Sequence, residues 1–196
     1  MRVFIAVLIL IFSLQFWAKA DDISDFQIEG MSIGDSLLDY LSEEEIINSK
    51  RNYYVNRKYY VVAYNKPLEI YDTIEIYLKS KDKNYIIETI TGKLLSKNKK
   101  QCLQLKKNIS KDIITMFPNK ETYSADGPHK IDKSGKSKMY QTVFMLSEKK
   151  YITDHIRVEC VFFSKKIKDK YDYEDTLNVV VMTTKIEDWI RNEAYN

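Results

Sequence analysis

The sequence predicts an α+β fold built as two small antiparallel three-stranded sheets, each packed by a helix. Three observations predict it. Short alternating apolar segments occur in two runs joined by turn-length polar links, which favours antiparallel neighbours. A longer segment between the runs repeats apolar residues every three or four positions, as a helix does. The order helix, three strands, helix, three strands, helix then reads as tandem α-β-β-β units over 21–96 and 97–196, the second carrying a closing helix. Each unit would lay its helix on one sheet face.

Asp25 to Glu29 alternates, with Phe26 and Ile28 on one side, and Gly30-Met31 breaks it. Ser32 sits where a helix cap belongs, and Asp35 three residues on completes a capping-box pattern. Ile33, Leu37, Leu38 and Leu41 recur at helical spacing, so a first helix is expected here. Ser42-Glu43-Glu44-Glu45 is a second capping signature. Strands are expected at 59–64 (YYVVAY), 71–78 (YDTIEIYL) and 85–91 (YIIETIT), the last ended by Gly92. Cys102, Leu105, Ile109, Ile113 and Met116 form one apolar stripe with lysines outside it, and Phe117-Pro118 stops that helix. Residues 119–138 read as a long polar loop. Three further strands follow at 139–146, 155–163 and 177–184. In the second of these, Ile156, Val158, Cys160 and Phe162 share a face. Residues 185–195 close the chain as a helix bearing Ile186, Trp189 and Ile190.

Residues 1–20 carry Arg2, an apolar run from Val3 to Trp17, and Ala18-Lys19-Ala20 before Asp21-Asp22. This is the pattern of a secretory signal peptide cleaved after Ala20. The run is short for a bilayer span of about 20 residues, so no transmembrane segment is expected after cleavage. Of the 31 basic side chains, Arg2 and Lys19 leave with the leader, so the mature chain carries a formal +1 against its 28 acidic groups. A mixed surface of this kind lacks the one-sided basic stripe that nucleic acid binding needs. Lys93, Lys97, Lys99, Lys100, Lys106 and Lys107 form the densest basic stretch and read as a solvated helix face, with an anionic envelope polymer as the alternative. Cys102 and Cys160 are the two cysteines, and an even pair in an exported chain points to one disulfide. Both fall on inward faces, one of a helix and one of a strand.

Ile33-Gly34-Asp35-Ser36-Leu37 spells the nucleophile block of GDSL-type esterases, and Asp126-Gly127-Pro128-His129 spells a D-x-x-H block. Together they make Ser36, Asp126 and His129 an alternative catalytic set. Several features oppose it. That family needs a doubly wound parallel sheet, whereas this chain has two runs of consecutive strands. Asp126 and His129 sit in mid-chain, and no Gly-x-Asn-Asp block supplies oxyanion donors. Ser36 also has a structural role available in the first turn of a helix. His155 reads as a surface or turn histidine. Two histidines and two cysteines do not furnish a zinc site of known spacing, and no glycine-rich phosphate loop exists. No cofactor and no metal are therefore expected. Tyr53/Tyr54 and Tyr59/Tyr60 could floor a sugar- or peptide-binding groove; the plainer assignment puts one of each pair in the core and the other on a half-wet face.

Phe26-Gln27-Ile28-Glu29-Gly30-Met31-Ser32-Ile33-Gly34-Asp35-Ser36-Leu37-Leu38-Asp39-Tyr40, continuing Leu41-Ser42-Glu43-Glu44-Glu45-Ile46, resembles an uncharacterised family of small exported proteins from AT-rich marine bacteria. Those share this opening, a tyrosine-rich strand region and a signal peptide. The resemblance implies export and transfers no catalytic residues. At fold level the chain is also similar to modules of outer-membrane assembly lipoproteins and beta-lactamase inhibitor proteins, which run from a Gly-Met-Ser/Thr-like stretch into a helix and strands. It departs from them in lacking the lipid-bearing cysteine and their second motif. The resulting expectation is a periplasmic or secreted, non-enzymatic binding or scaffold protein whose partner is an envelope protein or polymer.

Overall fold

The structure, a computed structural model, describes residues 22–96, 98–146 and 154–196. The expected signal peptide at 1–20 lies outside the described residues. Eight strands form a single antiparallel sheet: β1 (Lys50–Arg51), β2 (Tyr59–Tyr64), β3 (Thr73–Lys79), β4 (Ile87–Leu95), β5 (Thr122–Pro128), β6 (Lys138–Met145), β7 (His155–Phe162) and β8 (Thr176–Met182). Their spatial order is β1-β2-β3-β4-β8-β7-β6-β5. Among the described residues four α-helices accompany them: α1 (Glu43–Asn48), α2 (Lys99–Met116), α3 (Lys165–Tyr171) and α4 (Thr184–Asn192).

The α+β class stands, but the two separate three-stranded sheets do not. The last strand causes the difference. β8 does not hairpin back from β7 at the edge; α3 intervenes, and β8 inserts between β4 and β7, antiparallel to both. Strands on either side of the expected 96/97 boundary therefore share one sheet. Two edge strands were also missed. β5 lies inside the stretch read as a polar loop, because Thr-Tyr-Ser-Ala-Asp-Gly-Pro is an exposed edge segment with almost no apolar alternation.

One face of the sheet, the inner face, carries Val62, Ile74, Ile76, Leu78, Ile90, Val179, Val181, Val158 and Cys160. Residues 22–48 and α2 cover it. From the N-terminal segment come Ile28, Met31, Leu37 and Ile46. Ser42 and Glu45 form a reciprocal capping box that starts α1. The helix expected from Ser32 does not form. Gly34 takes a left-handed φ of +94°, and the chain runs extended beside residues 85–87. Gly34 N–H donates to the Ile87 carbonyl and Ile87 N–H returns to that of Asp35, both at 2.9 Å. Pairing with the lead-in to β4 thus replaces intrahelical bonds, leaving only a 3₁₀ turn at Leu37–Asp39. Asp35 still accepts from Ser32 N–H at 2.8 Å, the half of the capping box that needs no helix.

The α2 helix buries Cys102, Ser110 and Ile113, and Ile109 and Met116 pack partly against the core. Leu105, assigned to the stripe, is 41% exposed. Cys102 and Cys160 form a disulfide with Cα atoms 6.1 Å apart, fastening α2 to β7. On the outer face, α4 seals one end with Ile186 and Trp189 over Tyr59, Val61, Tyr77, Val180 and Met182. His155, read as a surface or turn histidine, is buried in β7 there instead, 3.5 Å from Glu187 on α4. Among the described residues no helix is long and apolar enough to cross a membrane.

β4 continues through Gly92, where the sequence places its end. A Cβ built on Gly92 would lie 2.6 Å from the ring of Tyr71. That ring cannot easily retreat, because the Glu29 carboxylate accepts the N–H groups of Glu69, Ile70 and Tyr71 at 2.9, 2.7 and 3.1 Å. Gly92→Ala is expected to lose about 1–3 kcal/mol in urea unfolding. In a Tyr71→Ala background the same change should cost less than about 1 kcal/mol, the difference being the coupling read from the double-mutant cycle. Replacing both cysteines by Ala should remove roughly 4 kcal/mol, read the same way, since the bridge closes a long segment of the unfolded chain.

Candidate functional site

Among the described residues the outer face is only half covered. Beyond α4, successive strands present a polar rung in register: Thr73, Lys93, Asn178, Glu159 and Gln141. The next rung adds Glu75 and Arg157. A groove of about 810 Å³ lies over this floor. That is within the size range of small-molecule sites.

Each floor carboxylate already has a cation. Lys93 Nζ sits 2.8 Å from Glu75 Oε1, and Arg157 Nε 2.9 Å from Glu159 Oε2. The Arg157–Glu159 contact lies off the N–H axis, so it is Coulombic and neither atom makes a hydrogen bond. Asn178 Nδ2 donates to Glu159 Oε1 at 3.1 Å, which fixes the amide orientation. Its Oδ1 is left buried with no partner among the described residues. Glu159 is 7% exposed and Asn178 9%, so these acceptors are costly to leave unsatisfied.

Aromatic side chains wall the groove on two sides. The first wall is the 52–58 loop and the chain's end. Asn56 N–H donates to the Ala194 carbonyl, Lys58 pairs with Glu193 at 2.9 Å, and the Tyr54 ring packs between Trp189 (4.9 Å) and Tyr195 (5.4 Å). Burial first, then the Glu75 carboxylate, push the Tyr53 hydroxyl up to about 12, so it stays a donor at neutral pH. Of the two tyrosine pairs, Tyr53 and Tyr54 line the groove, while Tyr59 goes under α4 and Tyr60 joins the inner core.

His129, Phe163 and Tyr173 make the second wall in a chain of ring contacts, 5.2 Å and 5.1 Å between neighbours. Asp172, left-handed at φ +56°, closes α3 and turns the chain toward Tyr173. Burial lowers the His129 pKa, against the pull of Glu159 and Asp132, so the ring is neutral at pH 7. One carboxylate holds this wall together. Asp132 Oδ2 accepts from Ser137 N–H, Ser137 Oγ and Ser164 Oγ at 2.9, 2.7 and 2.8 Å; Oδ1 accepts from Ser134 N–H and Oγ. The 129–137 turn is thereby tied to the start of α3.

The alternative catalytic set is placed as follows. Ser36 Oγ donates to the Asn84 carbonyl at 2.7 Å and accepts Leu38 N–H at 3.3 Å. Asp126 is exposed on edge strand β5. His129 accepts Ile131 N–H on Nδ1 and packs against Phe163. None of the Ser36 bonds goes to Asp126 or His129. The basic stretch is divided: Lys93 lies on the outer face in β4, Lys97 falls outside the described residues, and the rest belong to α2, where Lys99 bonds Tyr140 and Lys106 bonds Thr142. Among the described residues no three His, Cys, Asp or Glu side chains are placed to hold a metal ion. The sequence reading did not single out Arg157, Glu159, Asn178 or Asp132. The available signal for two of them was the HIRVECVFF strand, whose outward positions hold opposite charges two residues apart.

The chain was compared with protein-family models, curated proteins and solved structures, and it matches none of them.

Hydrogen bonds from Ser134, Ser137 and Ser164 hold the Asp132 carboxyl well below its ordinary 3.8. Its stabilising effect is therefore complete above that value and is lost as pH falls below it. Asp132→Asn should lower the unfolding temperature at pH 7. It should also flatten the acid limb, so that the gap between wild type and variant narrows progressively as pH falls below about 4. Thermal unfolding followed across that range tests both.

Proposed function

We propose that this chain is an exported, non-enzymatic binding protein of the bacterial cell envelope, and that the half-open outer face of its sheet is the working surface. The observation that carries this reading is the groove of about 810 Å³ over that face, walled by Tyr53, Tyr54 and Tyr195 on one side and His129, Phe163 and Tyr173 on the other. A half-open groove of this size lined by aromatic side chains offers apolar surface that a bound ligand can cover. The disulfide supports an oxidising compartment, in keeping with the signal-like residues at 1–20 and a periplasmic or secreted location. The partner is an envelope protein or polymer, and nucleic acid is not favoured by a face whose floor charges are paired. Catalysis through Ser36 has no geometric support, because its hydroxyl is spent on Asn84 and Leu38.

Isotope-labelled protein titrated with solubilised envelope fraction should show amide shifts confined to residues 53–54, 129–131 and 172–174. Absence of any groove shift would remove the binding role. Ser36→Ala should cost about 1 kcal/mol or less, with no change in hydrolysis of p-nitrophenyl acetate. Abolition of a real esterase activity by this substitution, with folding intact, would replace the proposal by the hydrolase reading.

A further inference from the structure

We propose that edge strand β5 pairs antiparallel with β5 of a second copy of this chain, joining two sheets about a two-fold axis. The two margins of the sheet are built differently. β1 is two residues long and carries Lys50 and Arg51, a short and charged edge of the kind that resists further pairing. β5 runs for seven residues, Thr122–Pro128, with no basic side chain, and its register with β6 is unbroken. Met145 N–H donates to the Glu121 carbonyl and His129 N–H to that of Ser137, both at 2.9 Å. Those bonds fix which backbone groups face β6: those of Glu121, Tyr123, Ala125, Gly127 and His129. The N–H and C=O groups of Thr122, Ser124 and Asp126 therefore point away from the sheet, and among the described residues no strand pairs with them.

A second β5 fits that edge in one register better than in its neighbours. With Ser124 opposite Ser124, Thr122 lies opposite Asp126 at both ends, and every outward N–H of each copy meets a carbonyl. The Thr122 hydroxyl gives up a long 3.4 Å contact with the Lys120 carbonyl and donates to the facing Asp126 carboxylate. On the other face Tyr123, 45% exposed, comes opposite the small Ala125. The two Asp126 carboxylates then stand four residues of strand apart, roughly 13 Å, which is beyond the Debye length at ordinary salt. Sliding until Asp126 faces Ser124 brings them to a diagonal of roughly 7–8 Å, and one step further sets them directly opposite. Sliding the other way leaves the Asp126 N–H outside the paired strand. Pro128, with no N–H, ends the pairing beyond Asp126. An edge-only contact buries little surface, so the dimer is transient rather than obligate. Its axis stands perpendicular to the sheet, so both outer faces look the same way and the binding role proposed above becomes bivalent.

The test is sedimentation velocity of the mature chain from about 10 μM to about 1 mM, where a monomer–dimer equilibrium with a Kd on the order of 100 μM is expected. Ser124→Pro removes an N–H that faces outward, so it should weaken association about tenfold or more while the bonds of β5 to β6 persist. Ser124→Lys should do the same by placing like charges across the axis, and circular dichroism with unfolding temperature shows that both variants remain folded. Thr122→Lys, which sets an ammonium opposite each Asp126, should tighten the dimer about fivefold. Under mild oxidation Ser124→Cys should give a covalent dimer, because directly opposed Cα atoms lie about 5.5 Å apart, whereas Thr122→Cys should not link to itself. A monomer at every concentration, a dimer indifferent to both Ser124→Pro and Ser124→Lys, or cross-linking through Thr122→Cys in place of Ser124→Cys would each overturn the proposal. These measurements read association alone, so they stand or fall independently of the groove.

Discussion

The antiparallel pairing of β4 with β8 is the constraint on which everything else rests. Its register runs from Thr89 opposite Met182 to Leu95 opposite Thr176. It joins the β1–β4 meander to the β5–β7 meander, and it turns two small sheets, each with edges to protect, into one wide sheet with only β1 and β5 at its margins. The same register sets Lys93 beside Asn178 and, one strand on, Asn178 beside Glu159. A slip of one residue would turn Asn178 into the inner core and bring a valine to the outer floor. Fold and site are thus specified by one set of backbone bonds. Because those bonds join residues far apart in the chain, they form only after much entropy has been lost, and folding through this seam is slow relative to the local hairpins.

The two faces answer different demands. The inner face is closed by the N-terminal segment and the disulfide-held α2, and its cluster is almost entirely apolar. Among the described residues the outer face is closed at one end, by the nine residues of α4. A stability-driven design would extend Ile186 and Trp189 with more cover or replace the Arg157–Glu159–Asn178 group with apolar side chains, since such groups seldom repay their desolvation. The polar rung next to the sealed apolar end is thus the part of the sheet that carries no apolar cover among the described residues.

Much of the first layer of structure was legible. Period-two alternation located β3 and β7, and the Ser42–Glu45 box marked α1. What failed was non-local. After Asn178, Val179-Val180-Val181-Met182 does not alternate, because this part of a central strand is covered on both sides; that apolar run was the available sign that β8 belongs inside the sheet. The spacing of Ile33, Leu37 and Leu41 imitated a helix because those side chains do point to one core, but from a strand-like path and a 3₁₀ turn. The site was less legible still. Reading 155–163 for its inward apolar face left Arg157 and Glu159 as mere solvent-side residues, and only the register with Asn178 reveals that they meet.

The loops explain how a chain with 5 glycines and 3 prolines makes its turns. Carboxylates stand in for turn residues by capturing backbone N–H groups. Glu29 holds three of them, Asp132 two, and Asp82 those of Asn84 and Ile86. Asp72, Asp175 and Asp154 take those of Leu95, Phe163 and Thr184. This substitution carries a conformational cost: Glu29, Lys81, Tyr85 and Asp172 all occupy left-handed backbone without being glycine. The clasps sit at the same places, Glu29 holding 69–71 and Asp82 holding the two residues that flank Tyr85, so strain and its compensation are local. Such a loop is rigid while its carboxylate is ionised and loses its restraint when it is not. The Asp132 clasp and the Asp175 bond to Phe163 both support the second wall of the groove, so the device that shapes the turns also fixes the aromatic lining of the site.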